Sequence, residues 1–276
     1  MKLFEGIELN KIFKAKLGRF GVLAINKPID CTSHDVVDKV RKALKIRKVG
    51  HGGALDPFAD GVLMILVGKA TKLSGKFLNM DKGYKTEICL GIQTSTLDPE
   101  GEIISVRETT LIKEGVIKST LKSLVGRYKQ QVPLYSSVKV EGNKLRVLAR
   151  KANNIELKGD SVTFKFSDGI EKNLIIPSKL VEIYDIEFKN LSYKSYDELN
   201  LRKIDIAEFG IVQNYKFPVI ELTLKCSKGF YVRQFALELA NKIQPGYGGS
   251  LISLTRTNVG LVELADCIEL DDLSKL

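Results

Sequence analysis

The sequence predicts an α+β fold on a mixed, largely antiparallel sheet flanked by helices. Three observations lead there. Strand-like segments recur along the 276 residues without regular βαβ alternation, helical spacing is confined to a few stretches, and no internal repeat or low-complexity linker divides the chain.

Gly21 to Asn26 reads as a short strand ending at the Lys27-Pro28 corner. Thr32 and Asp35 stand at capping-box spacing before Val36, Val37, Val40, Ala43 and Leu44, one face of a helix over residues 33–48. Gly50 to Gly61 is a glycine-rich loop, Val62–Val67 a buried strand and Ala70 to Leu78 a helix. Tyr84 to Ile92 alternates like a strand, and Asp98-Pro99-Glu100-Gly101 is a turn before Glu102 to Val106. Leu111 to Leu124 has helical spacing. The stretch from Val138 to Leu224 is mostly strand-like, with an Asp168-Gly169 hairpin turn between Val162–Phe166 and Ile170–Ile176. Val219 to Cys226 is a further strand. Val232, Phe235, Ala236, Leu239 and Ile243 then mark a helix ended by Pro245-Gly246.

Composition narrows the function. Lys and Arg number 43 against 33 acids, a formal charge of +10. Residues 1–50 hold 12 bases and 5 acids, densest from Lys39 to Lys48, whereas residues 261–276 hold five acids and one base. Such asymmetry suits a polyanion meeting one face, although a solvated Lys-rich helix would look the same. Four cysteines at 31, 89, 226 and 267 form no CxxC pair, and with only two histidines they argue against disulfides and metal. The longest apolar run is strand-length, and Met1 to Phe20 lacks the apolar core of a secretory signal. An intracellular, cytoplasmic protein is expected, with nucleus or mitochondrion as other compartments.

Several familiar sites are absent. Gly68-Lys69 lacks the upstream glycine of a P-loop, because position 63 is Leu, and Ala70 follows instead of Ser or Thr. Ser136-Ser137-Val138-Lys139 fits SxxK but has no SDN or KTG partner. What remains is Gly50-His51-Gly52-Gly53-Ala54-Leu55-Asp56-Pro57, whose glycines let a backbone approach a ligand closely. Taken alone, this is equally a turn capped by its Asp.

VGHGGALDP (Val49–Pro57), followed by Asp60-Gly61-Val62-Leu63 and Gly68-Lys69-Ala70-Thr71-Lys72, resembles the catalytic motif of TruB-type tRNA pseudouridine synthases. The likeness continues in order through GVLAINKP (Gly21–Pro28), Lys82-Gly83-Tyr84-Lys85, TSTLDPEG (Thr94–Gly101) and QVPLYSSVKVEGNKLRVLAR (Gln131–Arg150). CSKGFYVR (Cys226–Arg233) and Leu254-Thr255-Arg256-Thr257 complete it. The resemblance implies a pseudouridine synthase fold and isomerisation of uridine 55 in the T-loop of tRNA, without metal or cofactor. It makes Asp56 the catalytic aspartate, Arg233 its ion-pair partner and Tyr84 the tyrosine that stacks on the target base and helps remove the carbon-5 proton. Independently, Arg233 would sit in the first turn of its helix, where the dipole disfavours a cation. By the same resemblance His51 holds the base flipped out and Leu254 lines the uracil pocket. Gly53, Leu55, Lys72 and Lys139 contact substrate, and Lys27 supports the site or a phosphate.

The chain departs from the family pattern at three positions. Asp30 stands where the opening motif has Gly, so a different turn is expected. Gly52 replaces the bacterial Thr and looks like the eukaryotic branch, and Arg146 replaces a frequent Tyr. The expected organisation is an N-terminal extension (1–20), a catalytic domain (21–265) with an insertion at about 155–216, and an acidic tail (266–276), with no PUA domain. Partners are expected to be the tRNA T-arm alone, with the protein a monomer without an obligatory protein partner. A dyskerin-like guide-RNA-dependent subunit and a non-catalytic tRNA-folding chaperone are the rival readings.

Overall fold

A computed structural model of the protein describes residues 1–4, 7–15, 18–202, 204–212 and 214–275. The remaining positions of the 1–20, 155–216 and 266–276 segments lie outside the described residues. In chain order the principal elements begin with β1 (Lys11–Ala15), β2 (Gly18–Lys27), α1 (Ser33–Leu44), β3 (Val49–His51), β4 (Asp60–Val67), α2 (Ser74–Leu78) and β5 (Lys82–Leu90). They continue with α3 (Glu114–Leu124), β6 (Gly126–Gln131), α4 (Leu145–Lys151), β7 (Asn154–Lys158), β8 (Ser161–Lys165) and β9 (Glu171–Ile175). β10 (Ser178–Ser195), β11 (Lys216–Cys226), α5 (Val232–Ile243), β12 (Gly249–Val259) and β13 (Ile268–Glu269) complete the set.

Among the described residues eleven strands form one sheet with the spine β6-β10-β11-β5-β12-β4-β2-β13. All its pairings are antiparallel except β12 with β4 and β13 with β2. The chain is α+β, as its sequence predicts. Every residue of strand β4 after Asp60 is buried, which explains its unbroken apolar run. Helix α1 opens with the predicted capping box, Thr32 and Asp35 each bonding the other's backbone. Val36, Val37, Val40 and Leu44 are buried against β2 and β4, roughly 1.5–3 kcal/mol each. On the sheet's other wing, α3 and α5 pack with β5, β10 and β11 through Ile117, Leu121, Phe235 and Leu239.

The structure corrects several boundaries. Helix α1 stops at Leu44, because Lys45 takes a left-handed cap at φ 53°, so Lys45, Arg47 and Lys48 follow the helix instead of extending it. Residues 70–78 are a 3-10 turn (Gly68–Leu73) running into α2. Residues 145–151, read as strand, form α4, since Leu145, Leu148 and Ala149 fall on one helical face and pack against Val162, Phe164 and Leu174. Strand β12 was not predicted at all. It lies in the middle of the sheet, and its buried positions include the polar Ser250 and Arg256, which mask the apolar pattern of a strand. Asp30 adopts φ 60°, keeping a glycine-like left-handed backbone that Asp tolerates.

The ends of the chain join the sheet. β1 pairs with β2, and β13 runs parallel to β2 while Leu270 and Leu273 bury against α1. Within 155–216, β7, β8 and β9 form a separate three-stranded sheet beside α4, with the Asp168-Gly169 turn where expected. Among the described residues no helix is long and apolar enough to cross a membrane.

Candidate active site

The loop from His51 to Ala59 leaves the end of β3 and crosses above β4. Its backbone is pinned from four sides. Ser33 Oγ donates to the Leu55 carbonyl (3.1 Å) and accepts the Leu55 N–H (2.8 Å). The Asp30 N–H donates to the Pro57 carbonyl at 3.0 Å. Lys27 is fully buried, and its ammonium donates to the carbonyls of Pro28 (2.8 Å), Cys31 (2.7 Å) and Pro57 (3.1 Å). Those three bonds exhaust the ammonium's donors, so Lys27 supports the loop and has none left for a phosphate. From the other side Arg256 donates through Nη1 to Ala54 O (3.2 Å), through Nη2 to Gly53 O (3.1 Å) and through Nε to Val62 O (2.8 Å).

Two glycines are required here. Gly53 has φ +138°, and a Cβ on Gly52 would lie 2.5 Å from that of Phe77. The Phe77 contact explains in space why position 52 carries no side chain.

So held, Asp56 presents its carboxylate to Arg233, with Nε 2.9 Å from Oδ2 and Nη2 3.3 Å from Oδ1. Arg233 lies in the first turn of α5, as predicted, and meets a second carboxylate, since its Nη1 is 3.1 Å from Asp98 Oδ2. Its remaining donors reach the carbonyls of Thr96 (3.0 Å) and Tyr135 (3.4 Å). All five guanidinium N–H groups are thus committed, and the fork against Asp56 is bidentate. Asp98 is buried and accepts from Thr96 Oγ1 and from the Glu100 N–H (3.0 Å). Burial pushes its carboxyl up, and Arg233 pulls it back.

Tyr84 lies on the central strand β5, directly across from Arg256 on β12. Burial pushes its hydroxyl up to about 12, opposed by the Arg256 guanidinium. The phenol is therefore neutral at pH 7. The His51 imidazole is pushed down by burial and by Arg256, and its Nδ1 accepts the Gly53 N–H at 3.3 Å, placing the neutral ring's proton on Nε2. Lys82 caps the carbonyls of Phe77, Leu78 and Met80, and burial pushes its ammonium down to about 8.

These groups line one cleft of about 1680 Å³, well beyond the usual 300–1,000 Å³ of a small-molecule pocket. Nine Lys and Arg side chains line it against five Asp and Glu, so its walls suit an extended anion. Of the residues singled out in the sequence, the cleft gathers His51, Gly53, Leu55, Asp56, Tyr84, Arg233 and Leu254. It does not gather Lys27, Lys72 or Lys139. The first lies beneath the loop, and the other two are exposed outside the lining.

Residues 41–174 match the model of the TruB family pseudouridylate synthase N-terminal domain. The tRNA pseudouridine synthase B of Trichormus variabilis is 35% identical over 253 residues, 92% of this chain and 72% of that one. The tRNA pseudouridine synthase B of Bacillus velezensis is 37% identical over 256 residues, 92% and 70% of the two chains. The chain belongs to the TruB family of pseudouridylate synthases. It is an enzyme of that class.

The fold of this TruB-family chain also resembles more distant solved structures. A Cbf5-Nop10-Gar1 complex gives a TM-score of 0.59 at 22% identity, over 93% of this chain and 54% of that one. An H/ACA RNP bound to a substrate RNA containing 2'-deoxyuridine gives 0.56 at 20% identity, over 93% and 53%. This chain spans about half the length of those two, and at such identity the likeness carries the fold alone.

Two residues of the TruB-family site carry geometric weight that the sequence reading did not give them. Asp98 is there only a turn residue, because an Asx turn on the surface and a buried carboxylate have the same local sequence. Arg256 is there only part of a motif. Its signal was its place two residues after Leu254, on the same side of a strand.

Proposed function

We propose that this enzyme converts uridine 55 in the T-loop of tRNA to pseudouridine, with Asp56 as the catalytic carboxylate. The observation that carries the reading is the Asp56 carboxylate forked by a fully engaged Arg233 at the floor of a basic cleft that also holds Tyr84. The tRNA substrate rests on the names of the bacterial relatives. Residues 21–265 form the body of the catalytic unit; within 155–216 only β7, β8 and β9 stand apart as an added sheet, whereas β10 is a strand of the central sheet between β6 and β11 and not part of an insertion.

In the reaction Asp56 attacks the nucleotide, the bond between uracil N1 and the ribose breaks, and the base turns. A bond from carbon 5 to the ribose then forms as the Asp56 carboxylate is released from the nucleotide, carbon 5 loses its proton and N1 gains one, so the product is an isomer of the substrate and Asp56 is regenerated. The target must first leave its stack, which costs a few kcal/mol. Tyr84 offers a neutral aromatic face to the flipped base, Leu55 and Leu254 give it apolar walls, and His51 stands at the mouth with a neutral ring. Because the Tyr84 phenol is neutral, any proton it takes from carbon 5 must be matched by one it gives up.

The test is tritium release from a [5-³H]uridine-labelled tRNA transcript, with no guide RNA, beside a transcript carrying cytidine at the T-loop position. Release from the first alone supports the proposal. Tight binding without release would favour a chaperone or a guide-dependent subunit.

A further inference from the structure

The segment between β10 and β11 gives the cleft one basic lining residue, Arg202, with no role assigned to it so far. It leaves the long strand β10 through a 3-10 turn (Tyr196–Glu198), makes a second one at Ile206–Phe209, and enters β11 at Lys216. It is anchored, not loose. Leu199, Leu201, Ile206 and Ile211 are buried in one cluster with Ile92 and Val106, which flank the loop carrying Asp98. The Tyr196 hydroxyl donates to the Arg202 carbonyl and fixes the backbone at that position.

Thus positioned, Arg202 lines the active-site cleft from an element remote from the catalytic loop. Its Nη1 lies 3.2 Å from Glu102 Oε1, with the two side chains 60% and 79% exposed. An ion pair this open adds little to stability, so a phosphate can displace the carboxylate at little cost. In the same turn Glu100 is exposed and lines the cleft, whose lining also includes the exposed Arg150. Glu100 and Glu102 thus share the cleft lining with Arg150 and Arg202. Two bare glutamates there would repel an approaching phosphate backbone. Arg202 offsets the charge of Glu102 and can turn to a phosphate in its place.

We propose that Arg202 is a phosphate contact for the RNA strand that enters the cleft, exchanging Glu102 for the RNA backbone on binding. The inference rests on the reading of the cleft as an RNA site. It gives part of the 155–216 segment a role in holding substrate.

The test is binding of a T-arm transcript to full-length protein between 50 and 200 mM salt, for the wild type and for Arg202→Gln, Arg202→Lys and Glu102→Gln. Arg202→Gln should weaken binding about fivefold at low salt and reduce the slope of log K against log salt by about 0.7, one phosphate's share on a single strand. Arg202→Lys should restore most of the slope, and Glu102→Gln should tighten binding. A structural role for the Arg202–Glu102 pair would lower thermal stability in both Gln variants without touching the slope. An unchanged slope in Arg202→Gln, with wild-type protein binding and turning over the transcript, overturns this inference and leaves the proposed function standing. A wild-type protein that neither binds nor modifies the transcript overturns both.

Discussion

Arg233 and Asp98 form a buried pair, Nη1 to Oδ2 at 3.1 Å, behind the fork that Arg233 presents to Asp56. The guanidinium is thus held from the rear, so its orientation does not depend on Asp56. On the proposed role of Asp56, this matters at the stage where its carboxylate has reacted and no longer bears its charge.

The first prediction follows for Asp56. Asn at this position keeps the size and loses the attacking charge, so Asp56→Asn should abolish tritium release while leaving tRNA binding and circular dichroism unchanged. Loss of binding together with turnover would assign Asp56 to substrate recognition instead.

Asp98→Asn probes the rear contact. The amide can keep its bond with the Glu100 N–H but cannot balance Arg233, which then leans wholly on Asp56. A displaced catalytic partner can cost on the order of 10²-fold in rate. Single-turnover kinetics at saturating tRNA should show that loss with binding retained. A near-normal rate would mean that Asp56 alone suffices to orient Arg233.

How much of this was legible in the sequence follows from where each residue sits. The α1 capping box, the buried β4 run and the α5 spacing are local patterns, and each formed as read. The first-turn position of Arg233 signalled a need for acid, and the structure supplies two. Strand β12 and Asp98 were not legible, because β12 buries the polar Ser250 and Arg256 among its apolar residues and Asp98 owes its state to tertiary burial. Helix α4 was legible in the spacing of Leu145, Leu148 and Ala149, but it was hidden among strand-like neighbours. Lys27 shows the opposite limit. Its motif marks it as important, yet only the three carbonyls around its ammonium reveal that it builds the loop.

Lys82 should give stability a pH signature. Its ammonium is held at about 8 in the fold against an ordinary 10.5. Between those values the unfolded chain keeps a proton that the fold has released, so this group makes stability rise with pH across that window. Below about 8 both states are charged and the burial cost is fully present. Comparing melting temperatures of wild type and Lys82→Met from pH 7 to 10 isolates the effect. The wild type should gain on the variant as pH rises above 8, and a constant difference would refute the assignment.

Arg256 gives the last prediction. It ties the Asp56 loop to β4 and β12 through three carbonyls, and it stands across from Tyr84. Arg256→Met fills the space but leaves those carbonyls without a donor, a cost on the order of 3 kcal/mol. For a chain of this size that lowers the melting temperature by roughly 6–12 °C. Because Gly53 and Ala54 directly precede Leu55 and Asp56, the rate should fall further than stability alone explains when assayed well below the new melting point. Lys at this position cannot fork across three acceptors, so Arg256→Lys should recover little. Hydrogen exchange locates the cause. The Leu55 amide, bonded to Ser33 Oγ, should lose protection in the variant while amides in α5 keep theirs. Equal loss in both would mean that Arg256 supports the domain as a whole and not the loop.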